Sequence, residues 1–201
     1  MFKVYFNAEQ IDAEITDSQI GITVPCDCDN GFLEIVWEFE ADDSEYVLFP
    51  ACAYNGNRFD CLPKPYPPKF ELNEARIDMP VTITDVPRLN KDGSGVIEVT
   101  TGDVSVPMVG VCAKKQSCLL YTIQQINGRN LGLSYQRGRI GITYPHMRKD
   151  RMSRANRMVN STDTGIAFEK GQVVTIPYRL LQWECKSLPA FYRTFFEHRK
   201  V

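Results

Sequence analysis

Apolar runs without a helical period, separated by short polar breaks, occupy the stretch from residue 95 to residue 144. The runs lie at 96–101, 106–113, 118–126, 131–136 and 139–144. The breaks between them carry the Gly, Asn and Ser residues that tight reversals need. This pattern predicts five consecutive strands that form an antiparallel meander.

The second of these runs indicates that another sheet covers the meander. Its apolar side chains fall on both faces, with Val106, Met108 and Cys112 on one and Val109, Val111 and Ala113 on the other. A strand that is apolar on both faces is covered on both sides. A chain of 201 residues can bury one such core as a single domain. The predicted fold class is therefore all-β, a two-sheet antiparallel β-sandwich over residues 1–186.

Further strands are predicted on either side of the meander. Residues 2–6 and 19–24 alternate in the manner of short edge strands. Leu33, Ile35 and Trp37 alternate with acidic and apolar neighbours, which predicts a strand between the core and water. The last long strand, at 172–185, contains Pro177, which has no N–H to donate and so favours a sheet edge or a bulge.

One amphipathic helix is predicted within residues 187–201. Its apolar residues recur at i, i+3, i+4, i+7 and i+8, and they are Leu188, Phe191, Tyr192, Phe195 and Phe196. Ser187 is a suitable N-cap, and Pro189 is tolerated in the first turn. An aromatic-rich helix at the end of an all-β chain is interpreted as a linker to a further domain, with these five residues as the interdomain face.

Two segments interrupt the alternation. Residues 54–70 combine polar residues with several prolines, and they are either a binding loop or an ordered wrap over a sheet edge. Residues 145–165 are basic, with a short helix near 151–158 as one option. Arginines there match the carboxylate of a uronate or a phosphate, although a loop that is polar for solubility alone has the same composition.

Charge and cysteine usage exclude several classes of function. The net charge is −2, so no global field attracts nucleic acid or an anionic membrane, and neither is expected as a partner. Seven scattered cysteines without a C-x-x-C pair argue against a disulfide framework and a zinc ribbon. The first residues lack the features of a secretory signal, so the expected compartment is the cytoplasm. A chain whose signal peptide had been removed would look the same.

No motif in the sequence names a reaction. Glycine-rich nucleotide loops, the H-E-x-x-H zinc motif and the G-x-S-x-G elbow are absent. Cys26 and Cys28 with the two histidines supply too few neighbouring ligands for a metal. His146 is a candidate acid or base, but a lone histidine has many structural explanations. No catalytic residue, metal or cofactor is predicted.

The order of elements and two segments carry a resemblance to a known class of domain. The segments are FEKGQVVTIPYRL at 168–180 and SLPAFY at 187–192, with 54–59 as a third. Together they resemble the N-terminal, supersandwich-type β-sandwich of multidomain carbohydrate-active enzymes. In those enzymes a helical linker joins the sandwich to an (α/α)6 toroid that carries the catalytic acids.

The resemblance implies a non-catalytic accessory domain of a glycoside hydrolase or polysaccharide lyase-like enzyme, in a chain truncated before the catalytic domain. The implied partners are a C-terminal helical catalytic domain of the same polypeptide and an oligosaccharide. The implied contacts to a ligand or to that domain, with His146 added, are Tyr54, Asn55, Asn57, Arg58, His146, Arg148 and Arg151.

Two alternatives stay open. The first is a self-contained binding module for carbohydrate or protein, in which the helix packs entirely on its own sandwich. The second is a complete small enzyme with a cleft near His146.

Overall fold

The structure is a computed structural model that describes the backbone of residues 2–41, 45–58, 61–62, 81–82, 87–149, 151–154 and 157–199. Side chains are described in the same ranges except 61–62, 81–82, 151–154 and 157–160. The strands in chain order are β1 (Phe2–Phe6), β2 (Glu9–Ile11), β3 (Glu14–Ile15), β4 (Gln19–Thr23), β5 (Cys28–Gly31), β6 (Leu33–Glu38), β7 (Tyr46–Phe49), β8 (Ala53–Tyr54), β9 (Cys61–Leu62), β10 (Val81–Thr82), β11 (Val96–Thr100), β12 (Met108–Cys112), β13 (Ser117–Thr122), β14 (Gln125–Ile126), β15 (Arg129–Asn130), β16 (Gly132–Gln136), β17 (Arg139–Tyr144), β18 (Arg151–Arg154), β19 (Arg157–Asn160), β20 (Ile166–Phe168) and β21 (Val173–Trp183). A 3-10 turn spans Asn55–Asn57, and the helix α1 spans Leu188–His198.

Two antiparallel sheets pack face to face, which confirms the predicted all-β sandwich. The front sheet has the strand order β11-β16-β17-β6-β1-β2, and the back sheet has the order β3-β4-β21-β13-β12-β7-β8. Apolar side chains from the inner faces of both sheets form the main core. Smaller ladders pair β9 with β10 in parallel, and β14 with β15, β18 with β19 and β5 with β20 in antiparallel.

The predicted five-strand meander is wrong, because its strands are divided between the two sheets. β11, β16 and β17 lie in the front sheet, whereas β12 and β13 lie in the back sheet. The chain crosses between the sheets after β11 and again after β13. Thr101 joins the two crossings, since its hydroxyl donates to the carbonyl oxygens of Gln124 at 2.5 Å and Leu131 at 3.0 Å. Only the breaks at 114–117 and 137–138 are hairpins between neighbouring strands of a large sheet.

Pro177 lies in β21, an interior strand of the back sheet, but at this position the strand is paired on one side only, as at a sheet edge. β21 pairs with β4 through residues 173–177 and with β13 through residues 178–183. Pro177 is the last residue of the first ladder, and the second ladder begins at Tyr178. The missing N–H therefore falls where the strand changes partner, and the Pro177 carbonyl still accepts from Thr122 Oγ1 at 2.8 Å.

The helix covers the outer face of the back sheet. Ser187 caps α1 as predicted, with its hydroxyl accepting from the Ala190 N–H at 3.3 Å. Phe191 and Phe195 are buried in a second core with residues of β7, β12 and β13. The back sheet is therefore covered on both faces, which explains why β12 and β13 are apolar on both.

Two further observations complete the fold. Residues 151–154 and 157–160 form the hairpin of β18 and β19, so the short helix considered for this segment is wrong. In the described part of the chain, no helix has the length and apolar character needed to cross a membrane.

Two phenylalanines of α1 provide a direct test of this packing. Phe191→Ala should lower the free energy of unfolding by about 3–5 kcal/mol, because it leaves a cavity between α1 and the back sheet. Phe196→Ala, on the same helix but 54% exposed, should cost about 1 kcal/mol or less. Urea denaturation of both variants measures the difference. Equal losses would show that α1 is not anchored through Phe191.

Candidate functional site

The predicted basic segment forms an ionic cluster at the end of β17, which we define as His146, Arg148, Lys149 and Asp163. Arg148 makes a bidentate pair with Asp163, from its Nε and one terminal nitrogen to the two carboxylate oxygens at 2.8 Å each. The Arg148 backbone N–H also donates to Asp163, at 3.0 Å. The guanidinium holds the pKa of the Asp163 carboxyl below its usual range. These bonds tie residues 146–149 to residues 161–165.

Lys149 of the ionic cluster lies over the outer face of the front sheet. Its ammonium group forms an ion pair with Glu34 and lies 5.8 Å from the centre of the Phe32 ring. Its backbone N–H donates to Glu98 at 2.9 Å. Glu34, paired with Lys149, is only 7% exposed, and Val36 on the same face is 1% exposed. The expectation that this face of β6 lies in water is therefore wrong at these two positions.

His146 lies beneath the Arg148 pair and is largely buried. Its Nε2 is 3.6 Å from an Asp163 oxygen, which is longer than a hydrogen bond. Its Nδ1 is buried and has no hydrogen-bond partner among the described residues. A Cβ on Gly132 would lie 2.7 Å from that nitrogen, so only glycine fits beside the ring. Burial lowers the pKa of His146, and the nearby Asp163 carboxylate partly opposes this effect.

The geometry of the ionic cluster favours a structural role over ligand binding or acid–base chemistry. The Asp163 carboxylate already accepts three hydrogen bonds from Arg148, so it is not aligned to orient His146 as a base. A uronate or phosphate would have to displace Asp163 from Arg148 and Glu34 from Lys149. The Arg151 backbone belongs to β18, but its side chain lies outside the described residues.

The second predicted group, at 54–58, forms a rigid corner after β8. Asn57 accepts from the Tyr54 N–H at 3.1 Å and donates to the carbonyls of Cys52 and Pro87 at 3.2 and 2.8 Å. Asn55 begins the 3-10 turn with a positive φ of 50°. Tyr54 itself is 52% exposed. The prolines of the predicted loop, at 63–68, lie outside the described residues.

Arg58 points into the sandwich rather than toward a ligand. It donates to the Glu45 carbonyl at 2.9 Å. Glu45 is 2% exposed, and its carboxylate accepts from the Tyr135 hydroxyl at 2.5 Å. The sequence did not predict this buried polar group. Glu45 follows other acidic residues, and such a run is typical of a turn exposed to water. Arg58 and Asn57 therefore hold the corner in place.

The two predicted groups lie at opposite ends of one strand pair. Arg58 is next to Gly93, in the turn before β11, whereas His146 is next to Gly132, the first residue of β16. β11 and β16 are antiparallel, with Val96 opposite Gln136 and Thr100 opposite Gly132. Four residue steps separate the two ends, or about 13 Å. The structure does not bring these residues together into one site.

The predicted helix face divides into two stripes. The inner stripe, Phe191 and Phe195, is buried against the back sheet, with Phe191 stacked on Trp183 at 5.8 Å. The outer stripe consists of Leu188, Tyr192 and Phe196, which are four residues apart. Leu188 is 37% exposed and Phe196 is 54% exposed.

Tyr192 connects the outer stripe to β7. Its hydroxyl is 2.7 Å from that of Tyr46. Burial, the Tyr46 hydrogen bond and the nearby Tyr54 together raise the pKa of Tyr192. Tyr54 pairs with Leu48, which lies in the second core, so Tyr54 is on the same side of the back sheet as α1. We name Tyr54 and the outer stripe together the outer surface.

A groove between the sheets was not predicted. It has a volume of about 490 Å³ and is lined by Phe2, Ile15, Asp17, Trp37, Tyr178 and Leu180. Phe2 makes edge-to-face contacts with Trp37 at 5.0 Å and with Tyr178 at 4.7 Å. The Trp37 indole nitrogen is buried without a hydrogen-bond partner among the described residues. The sequence offered one signal for this groove, which is Trp37 near the end of β6. The other lining residues come from distant strands, so the groove could not be assembled from the sequence.

Within the described ranges, no group of three or more His, Cys, Asp or Glu side chains is arranged to hold a metal ion. Comparison with known proteins found no matching family model, curated protein or solved structure. The class that the coordinates define is an antiparallel two-sheet β-sandwich with a helix packed on one outer face.

The burial of His146 predicts a pH dependence of stability. The pKa of His146 in the folded chain is lowered below the value of about 6.5 that the unfolded chain has. The neutral imidazole therefore stabilises the fold above that value, and this contribution is lost as the pH falls through the folded-state pKa. The free energy of unfolding should decrease between about pH 7 and about pH 5, and the decrease should be smaller in His146→Gln.

Urea denaturation at the two pH values measures this effect. The charged groups that act on His146 are Asp163, Arg148 and Asp103. His198→Gln, at an exposed position, should keep the full decrease. The same decrease in His146→Gln as in the unsubstituted chain would contradict the prediction.

Proposed function

We propose that this chain is a non-catalytic accessory β-sandwich of a glycoside hydrolase or polysaccharide lyase-like enzyme, and that its outer surface packs on a helical catalytic domain. The observation that carries the proposal is that α1 has apolar residues on both its inner stripe and its outer stripe. The inner stripe and Tyr192 already attach the helix to the back sheet, so Leu188 and Phe196 of the outer stripe are not needed for that purpose. A surface helix normally carries polar residues on the side that faces water.

Exposure of the outer surface supports a protein contact. Single exposed apolar residues are common, but contiguous ones mark interaction sites. Phe196 and Tyr54 are each more than half exposed, and the Tyr192 ring centre is 6.3 Å from that of Phe196. Tyrosine and phenylalanine are also enriched at protein interfaces.

Rigid support makes this surface suitable for docking. Tyr54 stands on the corner that Asn57 ties to Cys52 and Pro87. Tyr192 is held by its hydrogen bond to Tyr46. A preorganised surface loses little conformational entropy when a partner binds.

The distribution of charge supports a non-catalytic role for the predicted polar residues. Arg148 and Lys149 are paired with carboxylates, and Arg58 and Asn57 bond to backbone carbonyls. Their polar groups are used to hold the chain itself. The proposal therefore assigns the sugar chemistry to the partner domain.

The first test compares the protein in its source cells with the 201-residue chain. An antibody raised against the chain should detect a polypeptide several hundred residues longer than this one of 22.9 kDa. In that longer protein, hydroxyl-radical footprinting should show at least about threefold slower oxidation of Tyr54 and Phe196 than in the isolated chain, because an interface excludes solvent. Ile15, 45% exposed on β3, is the matched control and should react equally in both.

Two results would overturn the proposal. One is a native product near 22.9 kDa. The other is a longer product in which Tyr54 and Phe196 remain as reactive as in the isolated chain.

The groove between the sheets favours a second candidate, a self-contained carbohydrate-binding module. Its aromatic wall is suited to the apolar face of a sugar ring. Asp17 adds an acceptor at the rim. The groove lies on the opposite edge of the back sheet from β7 and β8, so this function does not require the outer surface.

Tryptophan fluorescence tests this candidate, because the chain has only Trp37 and Trp183. Titration with neutral and uronate oligosaccharides should change the emission of the chain and of Trp183→Phe, but not that of Trp37→Phe. Calorimetry should show at least about fivefold weaker binding by Trp37→Phe, since the smaller ring covers less of the sugar face. Unchanged affinity in Trp37→Phe would exclude the groove as the binding site.

A further inference from the structure

Three asparagines of the chain are followed directly by glycine, and the fold places the three pairs in different surroundings. The pairs are Asn30–Gly31, Asn55–Gly56 and Asn127–Gly128. In such a pair the backbone nitrogen of the glycine can attack the asparagine side chain, because glycine has no Cβ that hinders the approach. By this criterion the sequence contains three equivalent candidates for deamidation.

Asn127 and Gly128 form the whole turn of an exposed hairpin. β14 ends at Ile126 and β15 begins at Arg129, and these two residues are paired. Both turn residues have a positive φ, 49° and 73°, as a two-residue type I′ turn requires. Both are exposed, and a Cβ on Gly128 would meet no atom within 4 Å. Nothing therefore lies over this pair.

Few interactions fix the conformation of this turn. Its ladder consists of two residue pairs, and a short two-stranded hairpin is only marginally stable by itself. The Tyr144 hydroxyl donates to the Ile126 carbonyl at 3.4 Å and also contacts the Asn127 side chain. This single neutral contact is a small obstacle, because the amide can exchange it for water. The turn can change its backbone angles without disturbing either large sheet.

Asn30 and Gly31 lie in β5 and are attached to the segment around β20. The Asn30 side-chain oxygen accepts from the Gly165 N–H at 2.5 Å. Gly31 is buried and pairs with Ile166, and a Cβ on it would lie 2.7 Å from the Phe168 ring. Attack on the Asn30 side chain would require this strand to leave its ladder.

Asn55 and Gly56 lie in the 3-10 turn of the rigid corner. Gly56 is buried, and its carbonyl accepts from the Leu89 N–H at 2.9 Å. A Cβ on Gly56 would lie 2.6 Å from the Leu89 Cδ1 atom. The next residue, Asn57, bonds to two backbone carbonyls. Reaction here would require the corner to open, and the free energy of that opening adds to the barrier.

We propose that Asn127 is a site of spontaneous deamidation by water, and that the fold protects Asn30 and Asn55 from the same reaction. The inference concerns the intrinsic chemistry of the chain. It does not rest on the proposed function.

The reaction balances without an oxidant or a reductant. The Gly128 nitrogen gives up its proton and forms a bond to the side-chain carbonyl carbon of Asn127, and the amide nitrogen leaves as ammonia. The product is a five-membered succinimide ring, and its closure is favoured because both groups belong to adjacent residues. Water then cleaves one of the two ring C–N bonds. Cleavage at the side-chain carbonyl gives aspartate, and cleavage at the backbone carbonyl gives isoaspartate.

The two products would change the hairpin in different ways. Both place a carboxylate next to Arg129. Isoaspartate also adds a methylene to the backbone of a two-residue turn, whose length sets the register of the ladder. The Asn130 carbonyl accepts from the His146 N–H at 2.9 Å, so the modified hairpin is bonded to the ionic cluster.

Peptide mapping of the folded chain after incubation in mildly alkaline buffer tests the proposal. Trypsin releases residues 116–129, in which Asn127 is the only asparagine, and a protease that cleaves after glutamate separates Asn30 from Asn55. The 116–129 peptide should appear as aspartate and isoaspartate products. Asn30 and Asn55 should react at least about tenfold more slowly, because both depend on local opening of the fold.

Two controls separate the effect of the fold from that of the sequence. In guanidinium chloride that unfolds the chain, the three asparagines should react within about threefold of one another, since each is followed by glycine and no structure protects any of them. Asn127→Gln should leave the 116–129 peptide unmodified, because its longer side chain would have to close a six-membered ring.

Three results would overturn the proposal. The first is a folded chain in which Asn127 keeps its amide while the unfolded chain loses it. The second is a folded chain in which Asn30 or Asn55 reacts as fast as Asn127. The third is an equally large preference for Asn127 in the unfolded chain, which would assign the selectivity to sequence neighbours and not to the fold.

Discussion

The back sheet must be covered on both of its faces, and most of the structure follows from this constraint. β12 and β13 carry apolar side chains on both faces, and nearly all of their residues are buried. The front sheet covers one face with the main core, and α1 covers the other with Phe191 and Phe195. Without α1, an apolar surface of sheet would face water, at a free-energy cost proportional to its area. The molecule is therefore a three-layer arrangement in which the helix is part of the fold.

The outer face of the front sheet is covered by paired charged side chains instead of a helix. Lys149 reaches over the outer face of β6 to Glu34, and Arg148 binds Asp163 beside it. A buried or half-buried carboxylate needs a partner of this kind, because desolvation without one is costly. The basic segment after β17 thus serves as a cover, and its arginine and lysine are engaged by the chain. This accounts for basic residues in a loop without assigning an anionic ligand to them.

The packing of the two sheets and the helix does not explain the outer surface. Leu188, Phe196 and Tyr54 are exposed there, and Tyr192 is hydrogen-bonded to Tyr46. The proposed docking function therefore rests on the side of α1 that faces away from the back sheet.

Local patterns in the sequence determined the elements, and the tertiary structure decided how they are combined. The alternation of apolar residues predicted the strands of the sandwich, and the spacing from Leu188 to Phe196 with the cap at Ser187 predicted α1, because both depend on neighbours within a few residues. The sheet that each strand joins depends on distant pairings, so the crossings at Thr101 and the change of partner at Pro177 were not visible. The same limit applies to the site. The residue types at Arg58, Arg148 and Lys149 suited a ligand, but Glu45, Asp163 and Glu34 come from other parts of the chain, and only the folded structure brings these partners close enough to occupy them.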